Sequence, residues 1–535
     1  MPTLDWIGKK AVENHHKEVP YRLLKCNPEL SVGEPGSGNL LVQGDNLEAL
    51  KGLLPYYGGK VKCIYIDPPY NTGNENWVYN DAVNSPEMRQ WLGEVVGRDD
   101  LSRHDKWLCM MYPRLALLRE FLTEDGAIFI SIDDNEVQNL RAVMDELFGE
   151  ENFITTVIWQ KVYSPKNSAR HFSEDHDFVI VYARDAEIWK PKLVSRSEKQ
   201  DKAYKNRDND PRGPWKTSDL SARNFYGAGT YAITCPSGRL IPAPPTGRYW
   251  TISEQNFREL DADNRIWWGK DGSAIPQMKR FLSEVKRGVV PQTLWKYDEV
   301  GHTQEAKQEL VSICDFADSN SVFITPKPVR LVKRILDIAT DRDSIVLDSF
   351  AGSGTTGQAV LEINKADGGS RRFMLVELDQ AIACGVTTQR IRRAVEGYED
   401  KKHKRVAGLG GGFRYCELGE TLFDAEGSIR SSVSFADLAS HVFFTEMREP
   451  LPKPVKGKTP LIGVARGTAV YLLYNGVLKD KNPKGGNVLT LETLRMLTPH
   501  DGPKIVYGTA CTLGAGTLKR YAVTFRQIPY EVKAT

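Results

Sequence analysis

The chain has no apolar run approaching the roughly 18 residues that cross a bilayer. Its opening stretch, MPTLDWIGKKAVENHHKEVP, lacks the apolar core of a secretory leader. No membrane partner is expected. Cysteine never occurs as CxxC: the eight residues, at 26, 63, 109, 235, 314, 384, 416 and 511, stand singly. Neither a zinc cluster nor a disulfide framework is expected from that spacing, and the chain reads as a cytoplasmic one. No internal repeat is present. A strong net charge is missing too, the sum over 535 residues being +2.

Locally the charge is not balanced. From Lys190 to Val300 there are 20 Lys and Arg against 13 Asp and Glu. The same stretch holds Trp215, Trp250, Trp267, Trp268 and Trp295. Basic residues interleaved with aromatics suit a polyanion with flat bases. A solvated surface over a few core tryptophans explains them equally well.

Along the chain, strand-like and helix-like segments alternate in two places. LLVQGDNLEALKGLL reads as strand, turn and helix, and VKCIYI as a second strand. WLCMMYPRLALLREFL is an amphipathic helix, and GAIFISIDD a third strand ending in acids. The alternation stops near Trp159 and returns at PVRLVKRILDIAT, SIVLDSF, GTTGQAVLEI and RFMLVELD. An α/β class follows, with a parallel sheet interrupted by an insertion. The boundaries expected are an N-terminal arm over 1–35, a first sheet half over 36–159 and the insertion over 160–300. A second half over 301–400, a linker over 401–414 and a small α+β module over 415–535 complete the chain.

Two segments carry chemistry. In KVKCIYIDPPYNTGNENW the strand must stop at Asp67, because Pro68 and Pro69 donate nothing to a ladder. A stiff elbow results, with a carboxylate and the Tyr70 ring at its tip. In VLDSFAGSGTTGQA a buried strand ends at Asp348, and Gly352-x-Gly354-x-x-Gly357 opens a helix. No lysine follows Gly354, which argues against a phosphate loop. Glycines at such a turn let a ligand approach the backbone, and Glu377, one strand later, stands where a carboxylate accepts ribose hydroxyls.

Together, Asp67-Pro68-Pro69-Tyr70, Phe350-x-Gly352-x-Gly354 and Glu377 resemble the S-adenosylmethionine-dependent DNA amino-methyltransferases. DPPY is the form typical of adenine-N6 enzymes, whereas the cytosine-N4 enzymes usually carry Ser in place of Asp. The order, catalytic motif first and cofactor motif after the insertion, resembles the permuted β class. DPPYNTGN, HDKWLCMMYPRLALLREFL, FISIDDNE and GHTQEAKQEL are similar to the modification subunits of type III restriction systems. The resemblance implies a Rossmann-like methyltransferase sheet, S-adenosylmethionine as cofactor and duplex DNA as substrate. It further implies target recognition by the insertion, a homodimer and a helicase-nuclease partner. It assigns catalysis to Asp67, Pro68, Pro69 and Tyr70. Cofactor binding falls to Asp45, Thr325, Lys327, Pro328, Asp348, Phe350, Ala351, Gly352, Ser353, Gly354, Thr355, Thr356 and Glu377.

In such a site Asp67 and the Pro68 carbonyl would each accept a hydrogen bond from an exocyclic amine, freeing its lone pair for a methyl group. Tyr70 would stack on the base, which must flip out of the duplex. Neither a metal nor a covalent intermediate is required. Alternatives are cytosine-N4 methylation, a solitary methyltransferase, or a DNA-reading subunit without turnover. Asp133 and Asp134 suit a helix cap better than paired acids. Thr303 is the expected N-cap of the helix after His302, and KKHKR reads as a solvated linker. Lys270, Lys279, Arg280, Lys286 and Arg287 are the expected phosphate contacts.

Overall fold

The computed structural model describes residues 4–33, 37–72, 93, 102–196, 201–285, 288–316, 325–400, 403–424, 428–457, 459–474 and 487–528. Gly73, Asn74, Lys286, Arg287, Lys401 and Lys402, part of the motifs above, lie outside the described residues. The chain divides into two compact units, one of residues 1–191 with 292–535, the other of 192–291.

The larger unit is built on a ten-stranded sheet. Its strands are β1 (Arg22–Gly33), β2 (Leu40–Gln43), β3 (Val61–Ile66), β4 (Leu122–Ile132) and β5 (Phe153–Gln160). They continue with β6 (His176–Ala183), β7 (Leu294–Trp295), β8 (Ile345–Asp348), β9 (Arg372–Glu377) and β10 (Gly412–Thr421). The spatial order is β1-β10-β2-β9-β8-β3-β4-β6-β5-β7. From β10 to β4 every pairing is parallel. Parallel strands need crossovers, and helices α1 (Asn46–Tyr57), α2 (Arg103–Phe121), α5 (Val329–Ala339) and α6 (Thr355–Asp367) supply them. Ile64, Ile66, Ile128 and Ile130 pack into the core beside α2 residues Trp107, Met111 and Leu115. Their sequence neighbours Cys63, Tyr65 and Phe129 are buried as well, as expected of a sheet covered on both faces.

One placement decides where a ligand can bind. After β3 the chain runs outward through α2 to β4. After β8 it runs the opposite way through α6 to β9, yet β3 and β8 are neighbours. The strand order therefore reverses between them, and in such sheets the crevice opens at the carboxyl ends of that pair. Asp67 and Asp348 follow or end those two strands.

Several expectations are corrected. The inserted unit is narrower than 160–300, because β5, β6 and β7 belong to the large sheet. The N-terminal arm holds two single-turn helices, but its longest element is β1, paired antiparallel with β10. The segment 401–414 is not only linker, since Arg405–Ala407 forms a hairpin with Gly397–Glu399 and β10 begins at Gly412. Cys26 and Cys416 face each other in the β1–β10 ladder and form a disulfide. The spacing rule looked for nearby cysteines, whereas this pair is 390 residues apart. His302, not Thr303, caps helix α4 (Thr303–Ile313), its Nδ1 accepting from the Glu305 N–H. The C-terminal residues share the larger unit and form a four-stranded mixed sheet over helix Phe435–Met447.

Within the smaller unit, strands Trp215–Asp219, Ile266–Trp267 and Gln277–Phe281 form an antiparallel sheet. The tryptophans resolve in favour of packing: Trp215, Trp250 and Trp268 are buried, as is Trp295 on β7 of the larger unit. Lys279 is no phosphate contact. Its side chain is 1% exposed, and its ammonium is held by Asp208 and Asp210. Lys270 and Arg280 are exposed.

Removing one partner of a buried ion pair typically costs about 3–5 kcal/mol. Lys279→Ala is therefore expected to lower the melting temperature measured by calorimetry, whereas Lys270→Ala leaves it within a degree or two.

Candidate active site

Strand β3 delivers the elbow. Asp67 follows its last residue, and the two prolines stop the ladder there. Three contacts then hold the bend. The buried Trp107 indole donates to the Pro69 carbonyl at 2.7 Å. Asn71 takes a left-handed conformation, φ 57°, and its buried amide donates to the Arg103 carbonyl at 3.1 Å and to Glu136. Glu136, fully buried, also accepts from Asn139 and meets His104 Nδ1 at 2.7 Å. Sequence reasoning missed Trp107, Asn71 and Glu136. Glu136 lies only two residues from Asp134 in the DDNE run, but nothing in that run singles it out. Asp133 serves its own turn, accepting from the Asn135 backbone and side chain.

Strand β8 delivers the loop. Gly352 and Gly354 both have positive φ, 49° and 78°, the region that penalises a Cβ. Gly354 is the N-cap of α6. Gly357 lets α6 close on α7 (Thr388–Glu396): a Cβ there would lie 3.0 Å from Ile391 Cδ1. Asp348 ties the loop to the sheet, accepting from Phe350 N–H at 3.1 Å and Thr356 Oγ1 at 2.5 Å. Glu377 closes it from β9, with Oε2 accepting from Gly352 N–H at 2.8 Å and Oε1 from Asp379 N–H at 3.0 Å.

The two halves meet in a cleft lined by Tyr65, Asp67, Thr325–Lys327, Asp348, Phe350–Ser353, Thr355 and Thr356. Most of the expected cofactor residues are thus brought together with Asp67. Pro328 lies just beyond the lining, as the N-cap of α5. Asp45 is drawn elsewhere. It caps α1 through the Leu47 and Glu48 N–H groups, and its other oxygen meets the buried Arg114 guanidinium at 2.7 Å.

Lys327 departs most from expectation. Its ammonium, 6% exposed, lies 2.6 Å from both Asp67 oxygens and 4.9 Å from the Tyr70 ring centroid. A second ion pair, Lys161–Asp177 at 2.6 Å, holds a buried carboxylate near the first. Burial, and then the negative charge of Asp67, pushes the Tyr70 phenol far above its ordinary range. Burial likewise raises Asp348 and Glu377 to about 7 each, against the lowering effect of their hydrogen bonds. Three carboxylates around one glycine loop make a cradle suited to a cation, and a cationic ligand would return two of them to their charged forms.

Residues 61–384 match the DNA methylase family. The chain belongs to that family. The chain is 37% identical over 398 residues to the type III restriction-modification enzyme StyLTI Mod subunit of Salmonella typhimurium, covering 71% of the chain and 59% of that relative. It is 31% identical to the EcoP15I Mod subunit of Escherichia coli, covering 71% and 64%. It is 30% identical to the type II methyltransferase M.KpnI of Klebsiella pneumoniae, covering 68% and 89%. The chain thus spans about three fifths of the length of the type III relatives. Among solved structures, a DNA modification methylase of Thermus thermophilus complexed with S-adenosyl-L-methionine aligns at 12% identity and a TM-score of 0.30, over 66% of this chain and 93% of that one.

The charge on Glu377 governs how well it can accept from a ligand hydroxyl. Its carboxyl is raised, so the accepting form is lost as pH falls through about 7. Affinity for S-adenosylmethionine, measured by calorimetry between pH 5.5 and 8.5, is expected to rise with pH and level off above about 7.5. Glu377→Gln is expected to bind more weakly and to flatten that rise.

Proposed function

We propose that the chain is an S-adenosylmethionine-dependent DNA methyltransferase acting on adenine N6, and that it serves as the modification and recognition subunit of a type III-like restriction system. The observation that carries this reading is the placement of Asp67 and the Gly352–Gly354 loop in one cleft, at the point where the strand order reverses. The cofactor fits that cleft on its chemistry. Positive-φ glycines admit a ligand against the backbone, Glu377 is the acid at the ribose end, and the surrounding carboxylates favour a cation. When bound, the cofactor supplies an electrophilic methyl group on a positively charged sulfur.

The chain's own residues then have defined tasks. An exocyclic amine conjugated with its ring is a poor nucleophile. Asp67 accepts a hydrogen bond from one of its N–H groups and the Pro68 carbonyl accepts one from the other, drawing the nitrogen toward tetrahedral geometry. Trp107 and Asn71 keep those acceptors aimed, which is where a preorganised site gains most over water. Tyr70 offers its ring to the base. In the DNA-free chain Lys327 occupies both places a base would use, the Asp67 carboxylate and the face of Tyr70, so it moves aside when adenine arrives. The carboxylate at position 67, in place of serine, favours adenine over cytosine.

Flipping the base costs a few kcal/mol. In this reading the basic unit 192–291 grips the duplex and supplies part of that energy, with Lys270 and Arg280 as exposed phosphate contacts. A homodimer, a helicase-nuclease partner and a cytoplasmic setting belong to the same proposal, supported by the similarity to the type III Mod subunits.

Asp67→Asn is the appropriate test, because Asp67→Ala would strand a buried ammonium. Asn keeps one acceptor oxygen but loses the charge. Methyl transfer from radiolabelled cofactor is expected to fall about 100- to 1,000-fold, with cofactor affinity by calorimetry within a few fold of the parent. Turnover near that of the parent overturns the role assigned to Asp67.

A further inference from the structure

Arg390 on α7 is fully buried, yet among the described residues it forms no ion pair. Its Nε donates to Gln358 Oε1 at 2.7 Å, and one terminal nitrogen donates to Ser353 Oγ at 2.9 Å and Thr355 Oγ1 at 2.7 Å. The other terminal nitrogen is buried without a hydrogen-bond partner. Burial pulls this guanidinium below its ordinary range, opposed first by the charge of Glu309. Glu309 is itself engaged by the Val329 N–H at 3.2 Å.

A scaffold for the loop needs none of this. Neutral donors could tie down a loop without the penalty of burying a charge that has no ion-pair partner. The charge calls for an anion. Ser353 and Thr355 line the cleft, with Arg390 directly behind them. Thr355 Oγ1 donates onward to the Lys327 carbonyl at 3.2 Å. Ser353 Oγ lies 3.3 Å from Thr355 Oγ1, a long contact from which its hydroxyl proton can turn to donate into the cleft. Lys327 is the one cationic side chain among the described residues lining the cleft, and its ammonium is engaged by Asp67.

We infer that Arg390, acting through the hydroxyls of Ser353 and Thr355, is the positioning residue for the carboxylate end of the methyl donor. It makes the chain select donors that carry an α-carboxylate. The inference rests on the cofactor reading given above. Arg390 orients the donor along the cleft: negative end at the loop–α6 junction, positive sulfur toward Asp67.

The test is calorimetry on the full chain with two probes, S-adenosylmethionine and decarboxylated S-adenosylmethionine, which differ only in that carboxylate. The parent chain is expected to bind the first about ten- to a hundredfold more tightly, the range for a hydrogen bond to a charged group. Arg390→Met is expected to lose most of that preference by weakening only the carboxylate-bearing probe. Ser353→Ala, which removes one hydroxyl and leaves the buried charge in place, is expected to lose part of it and keeps the test informative if Arg390→Met does not fold. Equal weakening of both probes in either variant, or a parent chain that does not distinguish them, overturns the inference. A parent chain that binds neither probe overturns the cofactor reading instead.

Discussion

The ion pair between Asp67 and Lys327 joins positions 260 residues apart and closes the mouth of the sheet. One partner ends the strand that leads outward to β4. The other precedes the helix that leads into β8. Neither can be removed alone without leaving a buried charge, a loss of about 3–5 kcal/mol. The pair therefore does two jobs that conflict in most proteins. It stabilises the meeting of the two halves, and, in the proposed reaction, it holds the carboxylate that would act on an amine until a substrate displaces the ammonium.

Around that pair the electrostatics are organised by burial rather than by exposed charge. Asp348 and Glu377 hold the glycine loop through backbone and hydroxyl donors, and burial leaves both poised near neutrality. Rigidity comes from neighbours that never enter the cleft: Trp107 and Glu136 behind the elbow, Ile391 against Gly357 behind the loop. In the proposed methyl transfer, which needs no covalent intermediate, these contacts would set the aim.

The parts of this design visible in the sequence were those with a backbone signature. Two prolines after an apolar run announce the end of β3. Glycines at 352, 354 and 357 announce the turn into α6, and alternating strand and helix patterns announce the parallel sheet. Side-chain partnerships were not legible, because nothing in Lys327 distinguishes a cofactor ligand from a partner of Asp67. Lys279 looked like a phosphate contact because Asp208 and Asp210 lie some 70 positions away. Tryptophans in a basic stretch carried two readings, and only their burial separated them. Strand β1 escaped notice because of its twelve residues only Val32 is buried, as befits a strand at the sheet edge.

The account turns on methyl transfer to the adenine amine at a chosen sequence. Long-read sequencing of DNA from cells producing the chain reports the modified base and its context in one measurement. N6-methyladenine at a single recurring motif, absent from cells producing Asp67→Asn, is the expected result. N4-methylcytosine, or no modified base in cells that contain folded protein, contradicts it.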